Sequence, residues 1–193
     1  MQPDTRLEAT CRLAANVEPR RPGARPYMLL LHYTGMESAE KAVDWLCTAQ
    51  SKVSCHYLID EQGSIIQMVG EGMRAWHAGD SYWAGETDIN SVSIGIEIHN
   101  RGHGLDYPNY PERQMQAVEG LCVDIIARHR IRPEHVLGHS DVAPWRKRDP
   151  GEKFDWGRLA GAGIGHWVEP VRIEGDAGFG LGDEGAQVAA LQQ

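Results

Sequence analysis

Tyr27-Met28-Leu29-Leu30-Leu31-His32 is a near-continuous apolar run closed by a histidine. A run this short, with no polar alternation, reads as a strand buried on both faces, the pattern of a central strand in a sheet covered on two sides. It stops at His32, directly before the turn Tyr33-Thr34-Gly35, so a polar side chain is presented from the end of a rigid element. After it, apolar residues at 39, 42, 43 and 46 have helical spacing over Ala39 to Gln50, with Ser38 as N-cap. Two β-rich runs, 53–59 and 64–69, flank Glu61-Gln62-Gly63 and predict a hairpin. Residues 70–90 form a long connection rich in Gly, Trp and His, the kind of loop that often carries function. Ser91 to Ile98 is a second strand. It places Ile94, Ile96 and Ile98 on one face and Ser93, Gly95 and Glu97 on the other. Met115, Val118, Leu121, Cys122, Ile125 and Ile126 mark a long helix from about Pro111 to Arg130. A short strand, His135-Val136-Leu137, leads into Gly138-His139-Ser140-Asp141-Val142-Ala143-Pro144-Trp145-Arg146-Lys147-Arg148-Asp149-Pro150-Gly151. That stretch reads as a strand end and a wrapped loop rather than a helix. A short last helix begins near Trp156.

The order strand, helix, hairpin, strand, long helix, strand, helix gives an α/β fold: a mixed β-sheet flanked by helices. The length of 193 residues suits one domain, here 27–170. Residues 1–26, with prolines at 3, 19, 22 and 26, read as a polar N-terminal arm. Residues 171–193 read as a Gly/Asp linker followed by the start of an amphipathic helix.

A net charge of −8 argues against a nucleic-acid partner and against a basic membrane-surface patch. No apolar run approaches a membrane span, and the first residues carry no secretory signal pattern. The four cysteines form no CxxC and no zinc-finger spacing, so reduced thiols are expected, with Cys55 and Cys122 in the core.

Three residues stand in turn contexts at element ends: His32, His139 and Asp149. Two histidines and a carboxylate make a zinc set of the catalytic kind, with three protein ligands and one position left for water. Taken singly, His32 reads as well as a hydrogen-bonded core histidine. Glu97, on the polar side of an otherwise apolar strand, suits a general base, the alternative being an exposed edge-strand glutamate. Lys147 could supply a cation for a developing oxyanion. Charge pattern alone instead assigns it to the solvated run Arg146-Lys147-Arg148.

Six ordered blocks over about residues 27–160 carry a family likeness. They are Leu31-His32-Tyr33-Thr34, Val53-Ser54-Cys55-His56-Tyr57-Leu58-Ile59, Arg74-Ala75-Trp76-His77-Ala78-Gly79, Ser93-Ile94-Gly95-Ile96-Glu97, Gly138-His139-Ser140-Asp141-Val142-Ala143-Pro144, and the segment from Arg146-Lys147 through Asp149-Pro150-Gly151 to Phe154-Asp155-Trp156. With them the chain resembles the zinc-dependent N-acetylmuramoyl-L-alanine amidases of the AmpD type, which share their fold with peptidoglycan recognition proteins.

The resemblance implies one Zn2+ per chain on His32, His139 and Asp149, Glu97 as catalytic carboxylate and Lys147 as stabiliser of the tetrahedral intermediate. It implies cleavage of the amide between N-acetylmuramic acid, or its 1,6-anhydro form, and L-alanine of peptidoglycan stem peptides. Muropeptides or peptidoglycan are then the partners, and the oligomeric state stays open. Substrate contacts carried over on the same basis are Tyr33, Lys52, Trp76, His77, Asn90 and Arg146, each with a structural role as its alternative. A non-catalytic recognition module of the same fold is the competing function. The missing signal pattern points to a cytoplasmic recycling enzyme. The tail, Leu181-Gly182 through Gly185, Val188 and Leu191-Gln192, resembles the opening of a peptidoglycan-binding domain and points instead to the periplasm or cell wall.

Overall fold

The computed structural model describes residues 2–168 and 184–191. Its strands are β1 (Thr10–Cys11), β2 (Val17–Pro19), β3 (Met28–Tyr33), β4 (Tyr57–Ile59), β5 (Ile65–Gln67), β6 (Met73–Ala75), β7 (Ser93–Ile98) and β8 (Val136–Gly138). Its helices are α1 (Ala39–Cys47), α2 (Ile89–Val92), α3 (Glu112–His129), α4 (His139–Val142), α5 (Trp156–Gly161) and α6 (Ala186–Leu191). The main sheet has six strands in the order β1-β5-β4-β7-β3-β8, and β2 pairs with β6 in a separate two-stranded ribbon. Strands β4, β7, β3 and β8 run parallel, while β5 folds back antiparallel on β4. The sheet is therefore mixed, with the apolar run of residues 28–32 inside it.

Side-chain parity on the two inner strands separates structure from chemistry. Leu29 and Leu31 of β3 and Ile94, Ile96 and Ile98 of β7 point to one face, where they pack with Met115, Val118, Leu121, Cys122 and Ile125 of α3. Each such buried aliphatic side chain contributes about 1.5–3 kcal/mol relative to exposure. On the opposite face Met28 and Leu30 meet Ala78, Ile89, Val92, Leu137 and Val142. His32 and Glu97 share that second face, continuing the alternation past the apolar positions.

Local signals explain most element ends. Ser38 Oγ accepts from the Lys41 N–H at 3.2 Å and caps α1. In the β4–β5 hairpin the Asp60 carboxylate accepts from the N–H groups of Gln62 and Ser64, at 2.9 and 2.8 Å. Gly63 holds φ +85° there, and a Cβ at that position would lie 2.7 Å from the Arg113 carbonyl. All four cysteines are free thiols, and Cys55 and Cys122 are buried. No helix among the described residues is long and apolar enough to cross a membrane.

The structure differs from the sequence reading in three places. Residues 139–142, expected as loop, form the single helical turn α4, because Asp141 turns back to accept from the Gly138 N–H at 2.7 Å. The connection 70–90 carries β6 and leads into α2 at Ile89, which takes in Ser91 and Val92, so the strand expected from Ser91 begins at Ser93. The arm supplies β1, paired parallel with β5, and β2, paired with β6. A residue on the arm, Arg20, donates to the carbonyls of Glu71, Asn90, Ser91 and Ser93 at 2.8–3.1 Å, which explains how so polar a segment is held. The expected start of a helix near residue 185 is α6, whereas the expected linker over 171–183 lies outside the described residues.

Glu71 ties the arm side of the sheet to α3. Its carboxylate receives Tyr57 Oη at 2.6 Å, His129 Nε2 at 2.6 Å and the Arg128 guanidinium. Burial alone would raise its pKa, but these hydrogen bonds outweigh burial and hold it down to about 2. Because the folded value lies below the unfolded one, near 4.5, this stabilisation is complete above about pH 4.5 and is lost as pH falls towards 2. The expected loss is about 3 kcal/mol. Urea unfolding between about pH 6 and pH 3 reads about 2 kcal/mol of it, and Glu71→Gln should flatten that acid limb. An unchanged acid limb in the variant would remove Glu71 as its source.

Candidate active site

The parallel strands deliver their C-terminal ends to one edge, the place where open α/β sheets put ligands. In register, His32 of β3 stands beside Glu97 of β7, and Leu31 stands beside Gly138 of β8, so His139 follows directly at the mouth. The return loop is tied back to this point. The Ser140 N–H donates to the Asp149 carbonyl at 2.9 Å. The Asp149–Pro150 peptide is cis, and the hydroxyls of Tyr107 and Tyr110 donate to the Pro150 carbonyl at 3.0 and 2.7 Å.

His32 Nδ1 and His139 Nδ1 lie 2.8 Å apart, and each lies 3.1 Å from Asp149 Oδ2. All three residues are buried. Burial first, then the facing His139, pushes the His32 pKa down to about 4, so the ring is neutral, the form that ligates metals. His139 Nε2 sits 3.0 Å from the Ala78 carbonyl, which can only accept, and 3.3 Å from Arg146 Nη2, which already donates to that same carbonyl; the shorter contact assigns the proton to Nε2 and leaves Nδ1 facing inward with a lone pair. Two ring nitrogens and a carboxylate oxygen crowded together in this way repel one another unless a cation lies among them. This donor set fits a divalent metal ion, and it is the only group of three or more such residues found among the described residues.

Glu97 and Lys147 line the same cavity, about 330 Å³, as the three convergent residues. Glu97 Oε2 is enclosed and has no hydrogen-bond partner. Burial and, second, the charge of Asp149 push the Glu97 pKa well above the ordinary carboxylate value, with Lys147 acting against the rise. Lys147 is partly exposed and its ammonium makes no ion pair with a carboxylate among the described residues. Its neighbours in the charge run part company with it. Arg146 donates to the carbonyl of Asp80 at 2.7 Å and to that of Ala78.

The residues expected to contact substrate divide. Tyr33 and Trp76 line the cavity. The Tyr33 hydroxyl meets His103 Nδ1 at 2.9 Å, while Trp76 Nε1 is buried without a partner. His77 lines the cavity too, but it is only 8% exposed, with both ring nitrogens engaged by protein groups. Asn90 is buried, and its Oδ1 accepts from the N–H groups of His77 and Ala78 at 2.9 and 2.8 Å. Lys52 is exposed, in the left-handed region at φ 53°, and is not among the cavity residues. The sequence reading missed Trp45. It is 47% exposed at the cavity mouth, and a large aromatic off the buried stripe of α1 was the available signal.

Together these features define an open α/β protein with a two-histidine, one-carboxylate centre at the ends of its parallel strands. The family profile described as N-acetylmuramoyl-L-alanine amidase matches residues 22–152, and the chain belongs to that family. It is 43% identical over 159 residues to N-acetylmuramoyl-L-alanine amidase AmiD of Escherichia coli (strain K12), covering 76% of this chain and 56% of that protein. It is 40% identical over 111 residues to 1,6-anhydro-N-acetylmuramyl-L-alanine amidase AmpD of Citrobacter freundii, covering 58% of this chain and 57% of that one. This chain thus spans somewhat over half the length of these curated relatives. Among solved structures, the complex of E. coli AmiD with anhydro-N-acetylmuramic acid-L-Ala-D-gamma-Glu-L-Lys superposes with a TM-score of 0.69 at 37% identity. The superposition covers 80% of this chain and 68% of that one.

Proposed function

We propose that this chain is a zinc-dependent amidase that hydrolyses the bond between the lactyl group of N-acetylmuramic acid, or its 1,6-anhydro form, and the L-alanine of a stem peptide. The observation that carries this reading is the convergence of His32 Nδ1, His139 Nδ1 and Asp149 Oδ2 in one cavity with Glu97 and Lys147. Zinc held by His32, His139 and Asp149 would polarise the amide carbonyl, acidify water and draw the Glu97 pKa back down.

The chain's own groups handle the proton and the charge. Glu97, dry on one oxygen, accepts the proton of the attacking water and returns it to the departing L-alanine amine. Lys147, free of any carboxylate partner among the described residues, places its ammonium against the oxyanion that forms on the former carbonyl. Tyr33, Trp45 and Trp76 offer aromatic surface along the cavity for the sugar and peptide.

Purified protein should contain one zinc per chain, lose turnover on dialysis against a strong chelator and regain it with zinc. Mass spectrometry of digests should show sugar and peptide released separately. Zinc-loaded protein that frees no peptide from muropeptide or sacculus would leave the recognition-module reading in its place. Anhydro-muropeptide and intact sacculus, assayed side by side, also address the compartment. Turnover confined to the small substrate supports a cytoplasmic recycling role, and release from sacculus supports action at the wall.

A further inference from the structure

We propose that the His77–Ala78 dipeptide is a brace that fixes both imidazole ligands through their outward-facing nitrogens, and that its proton pattern is set by a relay beginning at the Ile89 carbonyl. The inference rests on the metal-site reading above and adds to it the residues that hold the rings in place.

The relay can be followed from its far end. Ser93 Oγ lies 2.6 Å from the Ile89 carbonyl, which accepts only, so the hydroxyl proton is spent there. Ser93 Oγ can then serve His77 Nε2, 3.2 Å away, only as an acceptor, so that nitrogen carries a proton. In the neutral ring His77 Nδ1 is left as an acceptor. It sits 3.0 Å from His32 Nε2, which must donate. His32 Nδ1 is thereby left with its lone pair directed at His139 and Asp149. On the other ring the Ala78 carbonyl accepts from His139 Nε2 at 3.0 Å, closer than Arg146 Nη2 at 3.3 Å, and favours the same tautomer. One dipeptide thus sets two ligands, by a side chain for the first and a backbone carbonyl for the second.

The brace is itself clamped. Asn90 Oδ1 holds both of its backbone N–H groups. Beneath it lies Gly95 of β7, where an added Cβ would fall 2.5 Å from the His77 ring. The glycine in the middle of a buried strand is therefore the space the imidazole occupies. With His77 8% and Ser93 0% exposed, water cannot readily replace either partner. His77 and Gly95 are positioning residues in this account, acting on the metal through His32.

Zinc affinity, measured by competition with a chromophoric chelator, tests the brace without recourse to activity. His77→Ala and Gly95→Ala should each weaken zinc binding by about 10–100-fold, and Ser93→Ala by about tenfold. His77→Gln, whose amide oxygen can accept from His32 Nε2–H, should recover most of the loss. Because Gly95→Ala acts by displacing His77, adding it to His77→Ala should cost no further affinity, a non-additivity that independent packing damage would not give. Melting of the metal-free variants separates lost stability from lost affinity. If His77→Ala fails to fold, Ser93→Ala and Gly95→Ala decide. A folded His77→Ala, Gly95→Ala or Ser93→Ala protein that binds zinc within about threefold of the parent, against the 10–100-fold typical of such partners, overturns the brace. A parent protein that binds no zinc overturns the metal-site reading as well, so the two failures are distinguishable.

Discussion

Glu97→Gln is expected to lower kcat by about 10²–10⁴-fold while zinc content and substrate affinity stay near those of the parent. The substitution keeps the volume and one carbonyl oxygen but removes the only cavity-lining carboxylate outside the convergent triplet among the described residues. Water must then surrender its proton to bulk solvent, and the departing amine must find another donor. A second reading distinguishes this from structural damage. The enclosed Oε2 has no partner in the folded protein, and a buried unsatisfied polar atom costs about 1–3 kcal/mol. Glutamine places an equally enclosed polar atom in that position and breaks no hydrogen bond of Oε2, so the melting temperature of the metal-free protein should stay near that of the parent. Turnover within an order of magnitude of the parent would take the base role from Glu97.

Lys147→Ala is expected to lower kcat by about 10²–10³-fold with KM little changed, the signature of a group that interacts with charge present mainly in the transition state. The geometry favours Lys147 over either flanking arginine. Arg146 is committed to the carbonyls of residues 78 and 80, while Lys147 lines the cavity without a carboxylate partner among the described residues. Lys147→Arg should restore little, since a planar fork does not reproduce a compact ammonium. Steady-state kinetics on a muropeptide reads both variants. A Lys147→Ala enzyme that loses affinity but keeps kcat would make the lysine a substrate anchor instead.

The parts of the site that could be read in sequence are those set by local periodicity. Residues 27–32 announced a central strand, and alternation within 93–98 separated the isoleucines from Glu97. Parallel pairing then brings His32 and Glu97 side by side, a register that no local pattern encodes. Lys147 shows the limit from the other side, because charge pattern gave it to solvent and only its place in a family block gave it chemistry. Asn90, His77 and Arg146 were grouped as substrate contacts, and the structure engages all three with groups of the protein itself. Their partners are backbone atoms or buried rings distant in sequence, and residue type alone does not reveal them. Alternation also puts Gly95 on the Glu97 face of β7. Its reason, an imidazole lying on it, exists only once the chain is folded.

Arg20 gives the arm a practical meaning for protein engineering. The family match begins at residue 22, after it. Yet its guanidinium holds the carbonyls of residues 90, 91 and 93, among them those of the asparagine that clamps the brace and the serine of the relay. A fragment trimmed to the matched boundaries would keep every proposed catalytic group and lose the staple behind them. Anyone grafting this domain onto a new partner should place the junction upstream of β1 and treat the arm as part of the cassette.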